Sequence, residues 1–117
     1  RITWELNQHR VEMLKSLWNG KDIIFCTGEG SEFDYNHKLF DNKKSAKVVL
    51  GKSVDAFSEY ESLLAKIAEV SKTLEQPLVI LSLGPTATVL AYDLSLMGIR
   101  SLDIGHVTNI YDRRFGK

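Results

Sequence analysis

A run at residues 78–83, Leu-Val-Ile-Leu-Ser-Leu, which is apolar except for Ser82, constrains the fold of this chain most. Gln76-Pro77 precedes the run and Gly84-Pro85 follows it, and its length suits a strand better than a helix. Because apolar and polar residues do not alternate within it, we predict that both of its faces are buried. That pattern is typical of an inner strand of a parallel sheet.

Helical and strand patterns alternate along the rest of the chain. A first helix, capped by Thr3, is predicted to end at Asn19-Gly20, a second to follow the Ser53 cap, and a third to span residues 87–97. Further strands are predicted at residues 22–26, 46–50 and 101–104, and residues 32–45 are predicted as loop with one helical turn at 37–40. No element is predicted for the polar and aromatic last dozen residues.

Short turns between strands and helices favour parallel pairing through helical crossovers. We therefore predict an α/β fold with a Rossmann-like, mostly parallel sheet of about four strands covered by helices. The 117 residues contain no segment that reads as a linker, so residues 1–117 are predicted to form a single domain. Since the chain begins at Arg1 and not at Met, we expect it to be part of a longer protein, and its single cysteine favours a reducing cytoplasm.

Composition excludes several classes of protein. Fifteen basic and fifteen acidic residues cancel, which argues against a nucleic-acid partner. No apolar run approaches the roughly 20 residues needed to cross a bilayer, so no transmembrane segment is expected. The single cysteine, Cys26, cannot form a disulfide within the chain, and its place in a predicted strand favours a core residue over a nucleophile.

In open α/β sheets, ligands bind beyond the carboxyl ends of the strands, and three predicted loops lie there. In the loop at residues 84–88, Gly84 and Pro85 precede a predicted helix. The N-terminus of that helix, together with the hydroxyls of Thr86 and Thr88, would stabilise a phosphate. The same residues are equally those of a well-formed helix start. Both interpretations stay open, because the sequence is neither a P-loop nor a dinucleotide fingerprint.

The other two loops carry acids and a histidine. Gly28-Glu29-Gly30-Ser31 follows a strand as a phosphate loop does, and Glu29 could accept hydrogen bonds from ribose hydroxyls, although a plain turn explains it as well. Asp103 lies at the end of the strand before the third loop, residues 105–109, and His106 lies just beyond that strand. His106 is a candidate general base or phosphate donor, while a surface or capping histidine is the commoner outcome.

The remaining polar clusters carry weaker signals. Asp41-Asn42 could contact a base or a sugar, or form a solvated turn. Residues 112–114, Asp-Arg-Arg, could donate hydrogen bonds to a phosphate, but terminal charge runs are usually solvated and we expect that here. His9 and His37 are expected at the surface. Because no two histidines have the spacing of metal ligands, we predict no zinc site.

Several blocks of sequence resemble the carboxyl-terminal half of the GT-D-type bacterial glycosyltransferases. The most specific block is residues 83–94, Leu-Gly-Pro-Thr-Ala-Thr-Val-Leu-Ala-Tyr-Asp-Leu, followed by Gly98 and by residues 102–106, Leu-Asp-Ile-Gly-His. Blocks at residues 17–23, 28–33, 39–42, 44–45 and 56–57 follow the family's order as well, so the resemblance covers nearly the whole chain.

The resemblance implies a transferase that moves a sugar from a nucleotide-diphosphate donor, typically UDP-linked, to a glycan or glycoprotein acceptor in bacterial surface polysaccharide or adhesin glycosylation. It places Gly84, Pro85, Thr86 and Thr88 at the donor diphosphate, and Gly28-Glu29-Gly30-Ser31 or Asp41-Asn42 near the nucleoside. Asp103 and His106 are then candidate catalytic residues at the same edge. Self-association is expected if an apolar face is left exposed.

The resemblance also implies a divalent cation, manganese or magnesium, in the complete enzyme. The family's acidic Asp-x-Glu motif, which is associated with that metal, does not occur in this sequence, so its ligands are expected outside this chain. The alternative is a non-catalytic α/β module that binds a nucleotide or a partner chain. A dehydrogenase is disfavoured, because the glycine fingerprint for a dinucleotide is missing.

Overall fold

The computed structural model describes residues 7–28, 33, 35–51, 57–84, 86–104 and 107–116. Strands and helices alternate along them. The elements are α1 (Gln8–Trp18), β1 (Asp22–Gly28), a 3₁₀ helix (Lys38–Phe40), β2 (Ser45–Gly51), α2 (Phe57–Ser71), β3 (Pro77–Ser82), α3 (Thr86–Leu96), β4 (Ser101–Asp103) and α4 (Val107–Phe115).

The four strands form one parallel sheet in the order β2-β1-β3-β4. The apolar run at residues 78–83 lies almost entirely in β3, which is inside the sheet between β1 and β4. Its four central residues are buried, as a strand covered on both faces requires. The predicted α/β class and the parallel four-stranded sheet are confirmed.

Successive residues of the inner strands point to opposite faces, and each face has its own helical layer. On one face, Ile23 and Phe25 of β1 pack with α1, the 3₁₀ helix and α4. On the other face, Ile24 and Cys26 pack with α2 and α3. Cys26 is fully buried, which confirms the interpretation of a core residue.

At the amino ends of the strands, Asp22 joins three segments of chain. Its carboxylate accepts hydrogen bonds from the Ser45 hydroxyl at 2.7 Å and from the Gln76 backbone N–H at 3.1 Å. The Ser45 bond, followed by the Gln76 bond, lowers the pKa of Asp22 below its ordinary value although the side chain is buried. This carboxylate therefore helps to fix the starts of β1, β2 and β3 relative to one another.

Most predicted boundaries agree with the structure within two residues. The described part of α1 begins after Asn7, whose side chain accepts a hydrogen bond from the Arg10 N–H at 2.9 Å, and Thr3, the predicted cap, lies outside the described residues. Ser53, the predicted cap of the second helix, also lies outside them. No helix in the part of the chain that the structure describes is long and apolar enough to cross a membrane.

The sequence analysis missed α4. This helix carries Val107, Ile110, Tyr111 and Phe115 toward the α1 face of the sheet. Their spacing of three and four residues is helical, but Asp112 and the two following arginines masked it.

Candidate functional site

The strand order creates a crevice between the carboxyl ends of β1 and β3. From β1 the chain passes to β2, which pairs with one edge of β1. It then crosses to β3, which pairs with the other edge of β1. The connections leaving β1 and β3 therefore cover opposite faces of the sheet. Such a switch point is where open α/β sheets bind their ligands.

The turn from β3 into α3 forms one wall of this crevice. Gly84 has a φ of 65°, and a side chain added there would meet no atom within 4 Å, so a left-handed backbone explains this glycine better than a close contact does. The Ala87 N–H donates to the Gly84 carbonyl at 3.0 Å. Thr86 and Thr88 are exposed in the first turn of α3, and Pro85 lies outside the described residues.

The carboxyl end of β1 forms the opposite wall. Thr27 is in register with Ser82 of β3, and its buried hydroxyl lies 2.9 Å from the Tyr35 hydroxyl. Gly28 is in register with Gly51 of β2, so two adjacent strands end without side chains. Glu29, Gly30 and Ser31 lie outside the described residues.

Asp103 ends β4 and is exposed at the same edge, in register with Leu81 of β3. The next residue, Ile104, extends the pairing through an N–H bond to the Leu81 carbonyl at 3.2 Å. His106, the second candidate catalytic residue, lies outside the described residues. The structure thus brings Gly28, Gly84, Thr86, Thr88 and Asp103 to one edge of the sheet.

Asp41 and Asn42 lie at the opposite edge. The Asn42 carbonyl accepts a hydrogen bond from the Gly20 N–H at 2.9 Å, just before β1 begins, and Asp41 pairs with Lys15 at 2.6 Å. β1 has seven residues, so roughly 20 Å of strand separates these residues from the crevice. The structure does not bring them together with the other candidates.

The expectation that His37 lies at the surface is wrong. Its side chain is 4% exposed, and Nε2 lies 2.7 Å from Asp112 Oδ1 of α4. Nδ1 accepts the Leu39 N–H at 3.0 Å, so Nε2 carries the proton and donates to the carboxylate. Asp112 is likewise only partly exposed, whereas Arg113 and Arg114 are exposed as expected.

Tyr35 is a further residue at the crevice that the sequence analysis did not single out. It packs against Phe25 with ring centroids 5.6 Å apart, while its hydroxyl reaches Thr27. Phe33, Tyr35 and His37 alternate along a segment treated as a polar loop. That alternation of rings at every second position was the available signal for inward-facing side chains.

The chemistry of the described site is that of a polar binding edge. Within the residues that the structure describes, no three His, Cys, Asp or Glu side chains are grouped so that they could hold a metal ion. Burial raises the pKa of the Cys26 thiol to about 12, so Cys26 remains a neutral thiol at neutral pH. What the edge offers is the N-terminus of α3, hydroxyl groups and exposed glycine backbone.

Comparison with known proteins agrees with this architecture. The protein-family model described as "Glycosyltransferase GT-D fold" matches residues 4–115. The chain is 37% identical over 99 residues to "Probable glycosyl transferase Gly" of Streptococcus gordonii, covering 85% of this chain and 14% of that protein. It is 37% identical over 103 residues to "Glycosyltransferase GlyD" of Streptococcus pneumoniae, covering 88% of this chain and 12% of that protein.

Solved structures show the same relationship. "A New Glycosyltransferase (DUF1792) from Streptococcus sanguinis" superposes with a TM-score of 0.77 at 36% identity, covering 89% of this chain and 38% of that chain. A second structure, described as a domain of unknown function 1792 with a distinct glycosyltransferase fold, has a TM-score of 0.80 at 33% identity, covering 92% and 38%. The chain thus spans well under half the length of these relatives, and it belongs to the GT-D glycosyltransferase family.

Proposed function

We propose that this chain forms the donor-binding, carboxyl-terminal part of a glycosyltransferase that transfers a sugar from a UDP-type nucleotide donor. The observation that carries the proposal is the crevice between β1 and β3, at the switch point of a sheet whose relatives are described as glycosyltransferases. The donor would lie across the carboxyl ends of these two strands.

The first turn of α3 is the proposed site of the donor diphosphate. A nucleotide diphosphate is a concentrated negative charge, and it becomes the leaving group when the sugar is transferred. The backbone N–H groups at the start of α3 and the Thr86 and Thr88 hydroxyls can donate hydrogen bonds to it. The positive end of the helix dipole adds to this stabilisation.

The nucleoside would lie toward the end of β1. Gly28 has no side chain to block a flat ring, and the hydroxyl pair of Thr27 and Tyr35 fixes the wall beside it. Glu29, Gly30 and Ser31 follow directly in the sequence and are proposed to complete the nucleoside contacts. Asp41-Asn42 is left out of the proposed site, since it lies at the other edge.

Asp103 and His106 are proposed to face the acceptor hydroxyl. A carboxylate or an imidazole at this edge could remove a proton from an attacking hydroxyl group. The acceptor is proposed to be a glycan or glycoprotein of the bacterial surface, with transfer taking place in the cytoplasm. Asp103 ends β4, the strand next to β3, and this position at the sheet edge supports the proposal.

A divalent cation is proposed for the complete enzyme. In a complete site such an ion would neutralise the diphosphate charge. The described residues do not fit this role, because they supply no cluster of three ligands. We therefore assign no step to a metal held by these residues, and we propose that its ligands lie elsewhere in the polypeptide.

The diphosphate assignment is tested by calorimetric titration of the chain with UDP. Thr86→Glu places a carboxylate beside the proposed phosphate, and we expect binding to weaken at least about tenfold, or about 1.4 kcal/mol. An acid in the first turn of a helix is favourable for the helix itself, so the loss would not reflect unfolding. Ser62→Glu on the exposed surface of α2 is the matched control. Equal affinity of both variants for UDP would show that α3 does not contribute to the donor site.

A further inference from the structure

A second concave surface lies at the amino ends of β1, β3 and β4, at the opposite edge of the sheet from the proposed donor site. It is a half-open cleft of about 860 Å³. That volume is within the range of sites that hold a ligand or a bound side-chain cluster. None of the residues that line it belongs to the proposed donor or acceptor site.

The larger part of the surface inside this amino-edge cleft is apolar. Leu17 from the end of α1, Ile99 before β4 and Leu102 in β4 contribute the larger apolar side chains. Leu17 is 48% exposed, while Ile99 and Leu102 are half-buried and therefore recessed rather than protruding. The cleft thus offers apolar area to a chain that can enter it, and less to a broad surface such as a bilayer.

The rim of the cleft is positively charged. Lys21, Lys72 and Arg100 line it together with one acid, Glu75. The Glu75 carboxylate is turned toward Lys44, which does not line the cleft, at 3.9 Å. Lys21 donates to the neutral Gln76 side chain at 3.1 Å.

These three cations form no ion pair with any acid in the described part of the chain. Lys72 and Arg100 are exposed and belong to different connections, one after α2 and one before β4. The whole chain has no net charge, so a rim with three cations and one acid is a local excess of positive charge. Such an excess favours partners of opposite charge.

We propose that the amino-edge cleft docks an acidic, amphipathic segment of a partner protein. The apolar side chains of that segment enter between Leu17 and Ile99, and its carboxylates pair with Lys72 and Arg100. This is recognition of an amphipathic segment in a groove, in which the apolar contacts give affinity and the charges fix orientation. Docking at this edge leaves the opposite edge of the sheet open for the donor.

The test uses a short synthetic peptide with Leu-Leu and Glu-Glu pairs in alternation, titrated into the isotope-labelled chain and followed by the amide signals of each residue. A peptide with Lys-Lys in place of Glu-Glu is the charge control. We expect the acidic peptide to shift signals at Leu17, Lys72 and residues 99–102 and the basic peptide to leave them unchanged. Binding should weaken with added salt without being abolished, because part of it is apolar.

Two charge-reversed proteins complete the design. Lys72→Glu with Arg100→Glu should weaken peptide binding roughly tenfold or more. Lys47→Glu with Lys66→Glu makes the same change in net charge at exposed sites that do not line the cleft, and it should bind as the parent does. Leu17→Ser should also weaken binding of the acidic peptide, since it removes an exposed apolar side chain from the cleft.

Several results would overturn the proposal. Absence of shifts with the acidic peptide, or equal weakening in the two charge-reversed proteins, would mean that the cleft does not select acidic segments. Sedimentation with phosphatidylglycerol vesicles in the absence of peptide binding would assign the surface to a membrane. Broadening of the cleft signals with protein concentration alone would assign it to a second copy of the chain.

Discussion

His37 Nε2 donates a hydrogen bond to the Asp112 carboxylate across 2.7 Å, joining the segment between β1 and β2 to α4. The two residues are separated by 75 positions in the sequence. The ring also meets Tyr111 edge-on, with centroids 5.1 Å apart. In the sequence, Glu29 precedes the first of these segments and His106 directly precedes α4, and both are candidate site residues. This pair therefore holds together the two segments that border the proposed site.

Removing this histidine should destabilise the fold. In His37→Ala the Asp112 carboxylate loses its partner and the Leu39 N–H loses its acceptor, and we expect the free energy of unfolding to fall by about 2–4 kcal/mol. Urea unfolding measures the change. Arg113→Ala, at an exposed position of the same helix, should change it by less than about 0.5 kcal/mol. A His37→Ala protein as stable as the Arg113→Ala protein would show that the pair does not stabilise the fold.

Ionisation of Asp22 should make the free energy of unfolding depend on pH in the acidic range. Its pKa is lowered in the folded chain, first by the Ser45 hydroxyl and then by the Gln76 N–H, so the folded state favours the carboxylate. This contribution is present above pH 3.8, the ordinary pKa, and is lost as the pH falls through the lowered value. Asp22→Asn should be less stable at neutral pH and lose less stability on acidification. Parallel curves of stability against pH for the two proteins would contradict this role.

Replacing each of two glycines at the crevice by alanine should change the stability of the fold by different amounts. Gly84 has a φ of 65°, so Gly84→Ala should cost about 1–2 kcal/mol through backbone strain, even though the space around it is open. Gly28 has no positive φ, and the nearest atom to an added Cβ, the Gly51 carbonyl oxygen, is 3.9 Å away. Gly28→Ala should therefore be close to neutral in thermal unfolding. Gly84→Asn should recover part of the loss, since asparagine tolerates the left-handed region.

Alkaline pH should weaken the fold through Cys26 and Tyr60. Burial raises the pKa of each group to about 12, and for Tyr60 the hydrogen bond to Asp93 adds to the shift. The folded state favours the neutral forms of both groups. Their contribution to the free energy of unfolding is therefore complete below their ordinary pKa values of 9.0 and 10.0, and it is lost as the pH rises toward 12. Cys26→Ala should lose less stability than the parent between these limits. An unchanged alkaline slope would show that the thiol is not the group responsible.

The fold was predictable from the sequence because its strongest signals are local. Residues 78–83 are apolar except for Ser82, and glycines or prolines stand at most boundaries, so β3 and its neighbours follow from short-range patterns. α4 was missed because its four apolar side chains are interleaved with charges. Its stability comes from packing on the sheet, and that tertiary contribution is not visible in helix propensity.

The site was only partly predictable for a related reason. The carboxyl edge of a parallel sheet collects the residues that follow strands, so the placements of Gly84, Thr86 and Asp103 follow from topology. Asp41-Asn42 precedes a strand and therefore lies at the other edge. The contacts of His37 with Asp112 and of Tyr35 with Thr27 join residues from different segments, and no local pattern encodes such contacts.

The most direct test of the donor site is a UDP titration of the labelled chain that follows the backbone amide signals, with and without manganese. We expect saturable shifts at Thr27, Gly28, Gly84 and Thr86, together with a raised melting temperature, because a ligand of the native state stabilises it. The signals around Asp41 and Asn42, at the far edge, should not move. Saturable shifts at that far edge with none at the crevice, or no binding in either condition, would contradict the assignment of the donor site to this chain.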